Sequence, residues 1–391
     1  MNRKPVRLAL LLLTALLPPA GARAAGTSSA AFLRVGWGAR PAAMGDAYTA
    51  AADDVDALYW NPAGLNYIKR LEETFGHNSW IDGLSAEHAA FAVRRSTADV
   101  IGAGLGFLNS GDMDRANKYG YTEGYYSSSD LALLFSYARR LNPKLALGAN
   151  FKIIRERIES ASAQAFALDA GAIYELSPKL KLGASLKNLG TGLTLNKASG
   201  PLPLSLSAGA ALQFSKTLLL TSDVSLPPDD SLSLHLGGEY TYPSAVKGVR
   251  LALRAGIKTS AMSYLGAASA VTLGFGAETG AVGLDYALSP YGDLGITHRL
   301  SLKIKFEALS AKPEAPEITM EKNGIKVRRN AADVYRETIR WYYGKAAAEK
   351  LSAEEQALIL QRIVDKFTAL GVDVSEARQK LGGGGGAPKQ P

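Results

Sequence analysis

The 391-residue sequence contains no cysteine, which excludes disulfide scaffolds, zinc ribbons, iron–sulfur ligation and thiol catalysis together. Its four histidines, His77, His88, His235 and His298, are scattered without metal-ligand spacing. Charged residues make up only 20%, and after Leu17 no uninterrupted apolar run is long enough for a membrane-spanning helix, which needs about 20 residues. No G-x-S-x-G, H-E-x-x-H, Walker or dinucleotide fingerprint is present, and Gly102, Gly104 and Gly106 lie inside an alternating run instead of opening a helix. Asp112, Asp114 and Asn117 lack the glycine spacing of an EF-hand. These absences point to a non-enzymatic chain with no cofactor and no metal.

What is present begins with a leader. Arg3 and Lys4, the apolar run Leu8 to Leu17, and Ala22-Arg23-Ala24 have the three parts of a secretory signal peptide, assigned to 1–24. Removing Arg3, Lys4, Arg7 and Arg23 reduces the formal charge from +8 to +4, which carries no nucleic-acid signal. From Thr74 to Phe306 the pattern has period two: Leu145, Leu147, Ala149, Phe151 and Ile153 alternate with Ala146, Gly148, Asn150 and Lys152, and Leu300, Leu302 and Ile304 alternate with Arg299, Ser301, Lys303 and Lys305. Fourteen strands are expected near 74–80, 85–95, 98–109, 128–139, 144–158, 163–175, 179–188, 203–214, 217–226, 231–242, 249–258, 267–276, 281–288 and 295–306.

Alternation alone fits either a soluble sandwich or a membrane barrel. Strand length favours the barrel, because many runs reach the roughly 9–11 residues a tilted membrane strand needs. Connections alternate between short (Arg94–Thr97, Arg140–Pro143, Leu176–Pro178, Ser215-Lys216) and long (Ser110–Ser127, Asn188–Pro201), as in barrels with short periplasmic turns and longer outer loops. Tyr119, Tyr121, Tyr125, Tyr126, Tyr240, Tyr242, Tyr286 and Tyr291 fall at run ends, where interfacial rings belong. The fold expected is all-β: a closed antiparallel transmembrane β-barrel of about 14 strands over 72–306, in contact with outer-membrane lipid.

Residues 25–71 read as two short Ala-rich helical turns, the second capped near Asp53 or Asp54 and ended at Asn61 by Pro62. The segment is too small to fold alone, so it is expected to fill the lumen as a hatch inserted from the periplasmic side. Asn61 can bond its own backbone in a turn, Pro62 fixes φ and Gly64 permits a positive φ. The run Gly38, Met44-Gly45, Ala47, Asp53-Asp54, Ala57 and Trp60-Asn61-Pro62-Ala63-Gly64-Leu65 resembles the N-terminal signature of the PorV/PorQ family, itself similar to FadL-type hydrophobic-compound transporters. The resemblance implies an outer-membrane barrel with a luminal hatch in a Gram-negative type of cell. It makes Asn61, Pro62, Ala63 and Gly64 the hatch turn and candidates for ligand or client contact. By parity the lumen wall carries Lys152, Lys181, Lys187, Arg250, Arg254, Lys258, Arg299, Lys303 and Lys305; these either select anions or pair with the hatch acids Asp53, Asp54 and Asp56, the favoured reading.

An even strand count returns the chain to the periplasm. Residues 307–324 read as a Pro-stiffened linker, 325–381 as a helical tail and 382–391 as a flexible Gly-rich end. Helices are expected over Ala331–Lys350 and Ser352–Leu370, with Ser352 and Glu355 as a capping box, an apolar stripe of Leu358, Ile359, Ile363 and Phe367, a stop at Gly371, and a further turn over Val374–Leu381. Trp341, Tyr342 and Tyr343 cannot all face one seam, which makes them candidates for a partner contact. The resemblance together with the tail implies a barrel that binds or hands on secreted clients in protein export and surface attachment of the type IX kind. The alternative is FadL-like passage of hydrophobic small molecules.

Overall fold

The computed structural model describes residues 27–243, 248–306, 317–322, 325–349, 351–370, 372 and 374–382. The leader expected at 1–24, the stop at Gly371 and most of the Gly-rich end lie outside the described residues. The chain divides into two compact units, residues 1–309 and 310–391.

The first unit is a closed antiparallel barrel of fourteen strands: β1 Leu71–Ser79, β2 Ser85–Arg94, β3 Asp99–Asn109, β4 Ser128–Asn142, β5 Leu145–Ile158, β6 Ala161–Ser177, β7 Leu180–Gly190, β8 Ser205–Gln213, β9 Leu218–Leu226, β10 Ser233–Pro243, β11 Arg250–Lys258, β12 Val271–Glu278, β13 Val282–Pro290 and β14 Ile296–Lys305. Each strand pairs with its sequence neighbours, and β1 closes the ring by pairing with β14 from Glu72↔Lys305 to Ser79↔His298. Closure leaves no strand edge unpaired, which a sheet in hydrocarbon requires. One small departure is at β12: residues 267–270, expected as strand, form a 3₁₀ turn, and the strand starts at Val271.

Alternation places the leucines and phenylalanines outside. Phe75, Phe91, Leu105, Phe135, Leu253, Phe275 and Leu284 are between about 40% and 66% exposed, and their strand neighbours turn inward. A soluble protein does not leave so continuous an apolar surface uncovered, so the partner of this face is lipid. Tyr137, Tyr174, Tyr240 and Tyr242 stand on the outer face near one rim. The three longest connections, 110–127, 191–204 and 259–270, all lie at the other rim, here called the long-loop end. A strand pair, Met113–Ala116 with Thr122–Tyr126, extends the first of these and exposes Tyr119, Tyr121 and Tyr125.

Within the barrel the N-terminal segment runs the length of the lumen. It touches both ends: Ser29 bonds the 191–204 loop at Gly200 and Pro201, Arg34 pairs with Asp229 at 2.5 Å, and Asn66 and Ile68 accept from Arg94 at the opposite, short-turn end. Its helices are α1 Ala39–Ala43 and α2 Ala57–Trp60, followed by a 3₁₀ turn over Pro62–Tyr67. The second helix starts at Ala57, later than expected. Asp54 instead closes a local turn, its carboxylate accepting from the Asp56 amide at 3.1 Å.

The second unit contains a strand pair, Glu317–Lys322, inside the stretch expected to be linker, with Ile325–Asn330, at the start of the stretch expected to be helical. Helices α3 Ala331–Glu349, α4 Ala353–Ala369 and α5 Ser375–Gly382 follow, and Ser352 and Glu355 form the expected capping box. Val334, Tyr335, Ile339 and Tyr342 pack against Leu360, Ile363, Val364 and Phe367, with Val372, Val374 and Ala377 completing the core. The stripe therefore runs through Leu360 and Val364, whereas Leu358 is 57% exposed.

Candidate functional site

The candidate site is the contact between hatch and wall. Wall glycines let the hatch backbone approach where any side chain would hold it off. A Cβ at Gly148 would strike Pro62, one at Gly171 the Asn61 amide, and one at Gly183 Thr49 and Ala50. These three lie on the adjacent strands β5, β6 and β7. Gly237 and Gly256, paired across β10 and β11, receive Met44 and Gly45, and Gly104 and Gly106 receive the Trp37 ring.

Asn61 joins the hatch to itself and to the wall. Its side-chain amide donates to the Thr49 carbonyl at 2.7 Å and to Ala172 and Ala184 at 3.1 and 3.3 Å, while its oxygen accepts from the Ala63 amide at 3.2 Å. Pro62 lies against the Gly148 trough, and Ala63 is buried with Ala146 and Ile173. Gly64 does not use a positive φ, as expected from its place in a turn; a Cβ there would strike the Ala52 carbonyl, so its role is close packing.

The acids separate by partner. Asp54 and Asp56 meet the wall at Lys303, 2.6 and 3.0 Å from its ammonium, with the wall residue Asp285 at 3.5 Å. Asp53 pairs instead with Arg40 of the hatch itself, at 2.5 Å. Arg40 reaches Glu239 at 2.7 Å, and Glu239 and Asp285 are bridged by Arg254 at 2.6 and 2.7 Å. A continuous network therefore ties hatch to β10, β11, β13 and β14. Further along, Asp46 holds Lys258 at 3.1 Å, while Lys152 pairs within the wall with Asp169 at 2.8 Å. Burial pushes the Asp54 carboxyl up, yet Lys303 and Arg40 outweigh it and hold it well below the usual carboxylate range; Asp56 and Asp46 are also lowered against burial, chiefly by Lys303 and Lys258.

Arg40, Asp46, Glu239 and Asp285 were not among the site residues expected from sequence. The parity that put basic residues on the lumen face also places Glu239 and Asp285 there, so the signal for the wall acids was available. Of the basic wall residues, Arg250 pairs with Glu278 near the short-turn rim and touches no hatch acid. In the second unit Trp341 is 59% exposed, Tyr342 is buried with its hydroxyl donating to the Gln356 carbonyl at 3.3 Å, and Tyr343 packs at the core's edge.

Among the described residues, cavities border the hatch. A small apolar one, about 30 Å³, lies between Phe32, Leu33 and Trp37 and the β2–β4 wall. A polar one of about 190 Å³ opens at the long-loop end, and another of about 330 Å³ lies on the short-turn side around Arg40, Lys216 and Glu278. Among the described residues no cluster of three or more potential metal ligands occurs.

Residues 22–201 match the uncharacterised protein family UPF0164. No curated protein matches the chain. Among solved structures, the CymD monoaromatic hydrocarbon channel is similar at TM-score 0.51 and 16% identity, covering 70% of this chain and 98% of that one. The two share a fold. The Pseudomonas putida toluene transporter TodX is similar at TM-score 0.47 and 14% identity, covering 68% and 96%, and a Pseudomonas aeruginosa FadL homologue at 0.47 and 13%, covering 73% and 100%. This chain thus has the barrel fold of CymD, followed by a C-terminal unit.

Proposed function

We propose that this chain is a non-enzymatic outer-membrane barrel that passes small hydrophobic molecules, with the hatch as its closing part. The observation that carries this reading is the wall beside Trp37. The apolar cavity inside, bordered by Trp37 and Gly106, and an apolar groove of about 330 Å³ on the lipid face, lined by Phe75, Phe91, Gly104, Leu105 and Phe135, have Leu134 in common. At Gly104 and Gly106 the strand between lipid and lumen carries no side chain, and the Trp37 ring of the hatch fills that space. CymD and TodX are a hydrocarbon channel and a toluene transporter, and the shared fold makes the same substrate class the one to test. Short turns mark the periplasmic rim, so the chain leaves β14 into the periplasm, where we place the helical tail.

The test is uptake of labelled toluene by cells carrying the full chain, compared with Gly104→Leu. Uptake above background that Gly104→Leu abolishes, with the barrel still folded, is the expected result. Background uptake by the unaltered chain overturns the reading. A second reading, client binding in protein export of the PorV/PorQ, type IX-like kind, is favoured by the second unit with its own core and an exposed Trp341. A pull-down of secreted proteins from native membranes that Trp341→Ala abolishes would favour it.

A further inference from the structure

The polar cavity at the long-loop end is built, yet neither the hatch network nor the passage of hydrophobic molecules uses it. Four adjacent strands supply its wall: Lys187 from β7, Ser205 and Ser207 from β8, Asp223 and Ser225 from β9, Ser233 and His235 from β10, and the hatch contributes Tyr59 and Trp60. The register places them side by side, Lys187 opposite Ser205, Ser207 opposite Ser225, and Ser225 opposite Ser233.

Most charges near this cavity are matched: Arg34 pairs with Asp229 and Asp230, and Lys258 with Asp46. Two are not. The Lys187 ammonium lies over the Tyr59 and Trp60 rings, 4.6 and 5.1 Å from their centroids, and has no carboxylate or hydrogen-bond acceptor among the described residues. Ring faces supply attraction to a cation but accept none of its three N–H bonds. Asp223, 5% exposed, uses Oδ2 to accept from the Thr49 amide at 2.7 Å, while its Oδ1 lies over Gly209 and is closed to the cavity. Beside Lys187, Ser205 and Ser207 each share a hydrogen bond with Ser225 at 3.2 Å. The wall thus presents a cation without an anion next to a row of serine hydroxyls.

We propose that this cavity binds a small hydroxylated carboxylate of the sugar-acid class. Its carboxylate would accept from Lys187, and its hydroxyls would exchange bonds with Ser205, Ser207 and Ser225. A fatty acid satisfies Lys187 but leaves the serines facing a hydrocarbon chain, which costs the desolvation of each group. A bare inorganic anion brings no donors to the serine oxygens. The proposal does not depend on the hydrophobic route, which runs beside Trp37.

The test is titration of the full-length chain, folded in detergent, with gluconate, read by calorimetry and by tryptophan fluorescence, since Trp60 lines the cavity. Saturable binding is expected, weakened at least about tenfold in Lys187→Met and retained in Lys187→Arg. Neutral gluconamide should bind at least about tenfold more weakly to the unaltered protein, a comparison independent of whether any variant folds. Octanoate should not compete. Absence of saturable gluconate binding, equal affinity for gluconamide, unchanged affinity in Lys187→Met, or displacement by octanoate each overturns the proposal. None of these outcomes bears on toluene uptake.

Discussion

The hatch is held by one cation more than by any other group, and Lys303→Met tests this. The ammonium lies 2.6, 3.0 and 3.5 Å from Asp54, Asp56 and Asp285, and its side chain is 6% exposed. Methionine keeps most of the side-chain volume, so the change removes charge with little loss of packing. Removing one partner from a buried ionic cluster costs about 3–5 kcal/mol, because the carboxylates left behind stay desolvated. Between docked and released hatch, that is a shift of about 10² to 10⁴ in the equilibrium. The natural chain has no cysteine, so a single Ala51→Cys, at a position 4% exposed, reports hatch release through its maleimide labelling rate. Labelling in the Lys303→Met background should rise by at least about 10². Adding Asp54→Asn and Asp56→Asn should bring it most of the way back, since the orphaned charges are then gone. Heat-modifiable migration on gels checks that the barrel is intact. A labelling rate within about twofold of the parent, or no recovery in the triple variant, refutes the claim that Lys303 locks the hatch.

Asn61→Asp turns a donor to three carbonyls into an acceptor facing them, and should raise labelling at Ala51→Cys more than Asn61→Ala, which only deletes the bonds. For pH, the folded-state values of Asp46, Asp54 and Asp56 are depressed, so their contribution is complete above the unfolded carboxylate range near about 4 and is lost as pH falls through the lower folded values; labelling should be flat from neutral pH down to that range and rise only in stronger acid, and a rise near neutrality would contradict the network. Molar salt should leave labelling nearly unchanged, because Lys303, Asp54 and Asp56 are at most 7% exposed, whereas the pairs that salt can screen, Asp53–Arg40 and Arg34–Asp229, lie outside that cluster. In the tail, Tyr342→Ala should cost about 3–5 kcal/mol, read as loss of helical circular dichroism at lower temperature, and Trp341→Ala should stay within about 0.5 kcal/mol.

The barrel was legible because its two faces meet different solvents and the side-chain period of a strand is two. Each strand has to present Leu or Phe to lipid at every other position, and that pattern persists however the lumen is filled. Six strand glycines, Gly102, Gly104, Gly106, Gly148, Gly171 and Gly183, each lie against a hatch residue, so even lumen filling left a trace in composition. Less legible was the pairing of charges. Parity puts Lys303 and Asp285 on the same surface but carries no information about which hatch acid reaches them, because the hatch is irregular chain whose path is set by the wall it touches. Asp53, adjacent in sequence to Asp54, therefore turns to Arg40 and leaves Lys303 to Asp54 and Asp56. The same reason hid the cavity beside Lys187: its residues come from four strands and two hatch aromatics that have no common spacing, and only closure of the ring brings them together. In the tail the strand pair at 317–330 is short enough that two alternations, Ile318 with Met320 and Ile325 with Val327, do not rise above chance in a charged stretch. A long strand in lipid repeats its pattern many times; a luminal contact is specified once, by residues far apart in the chain.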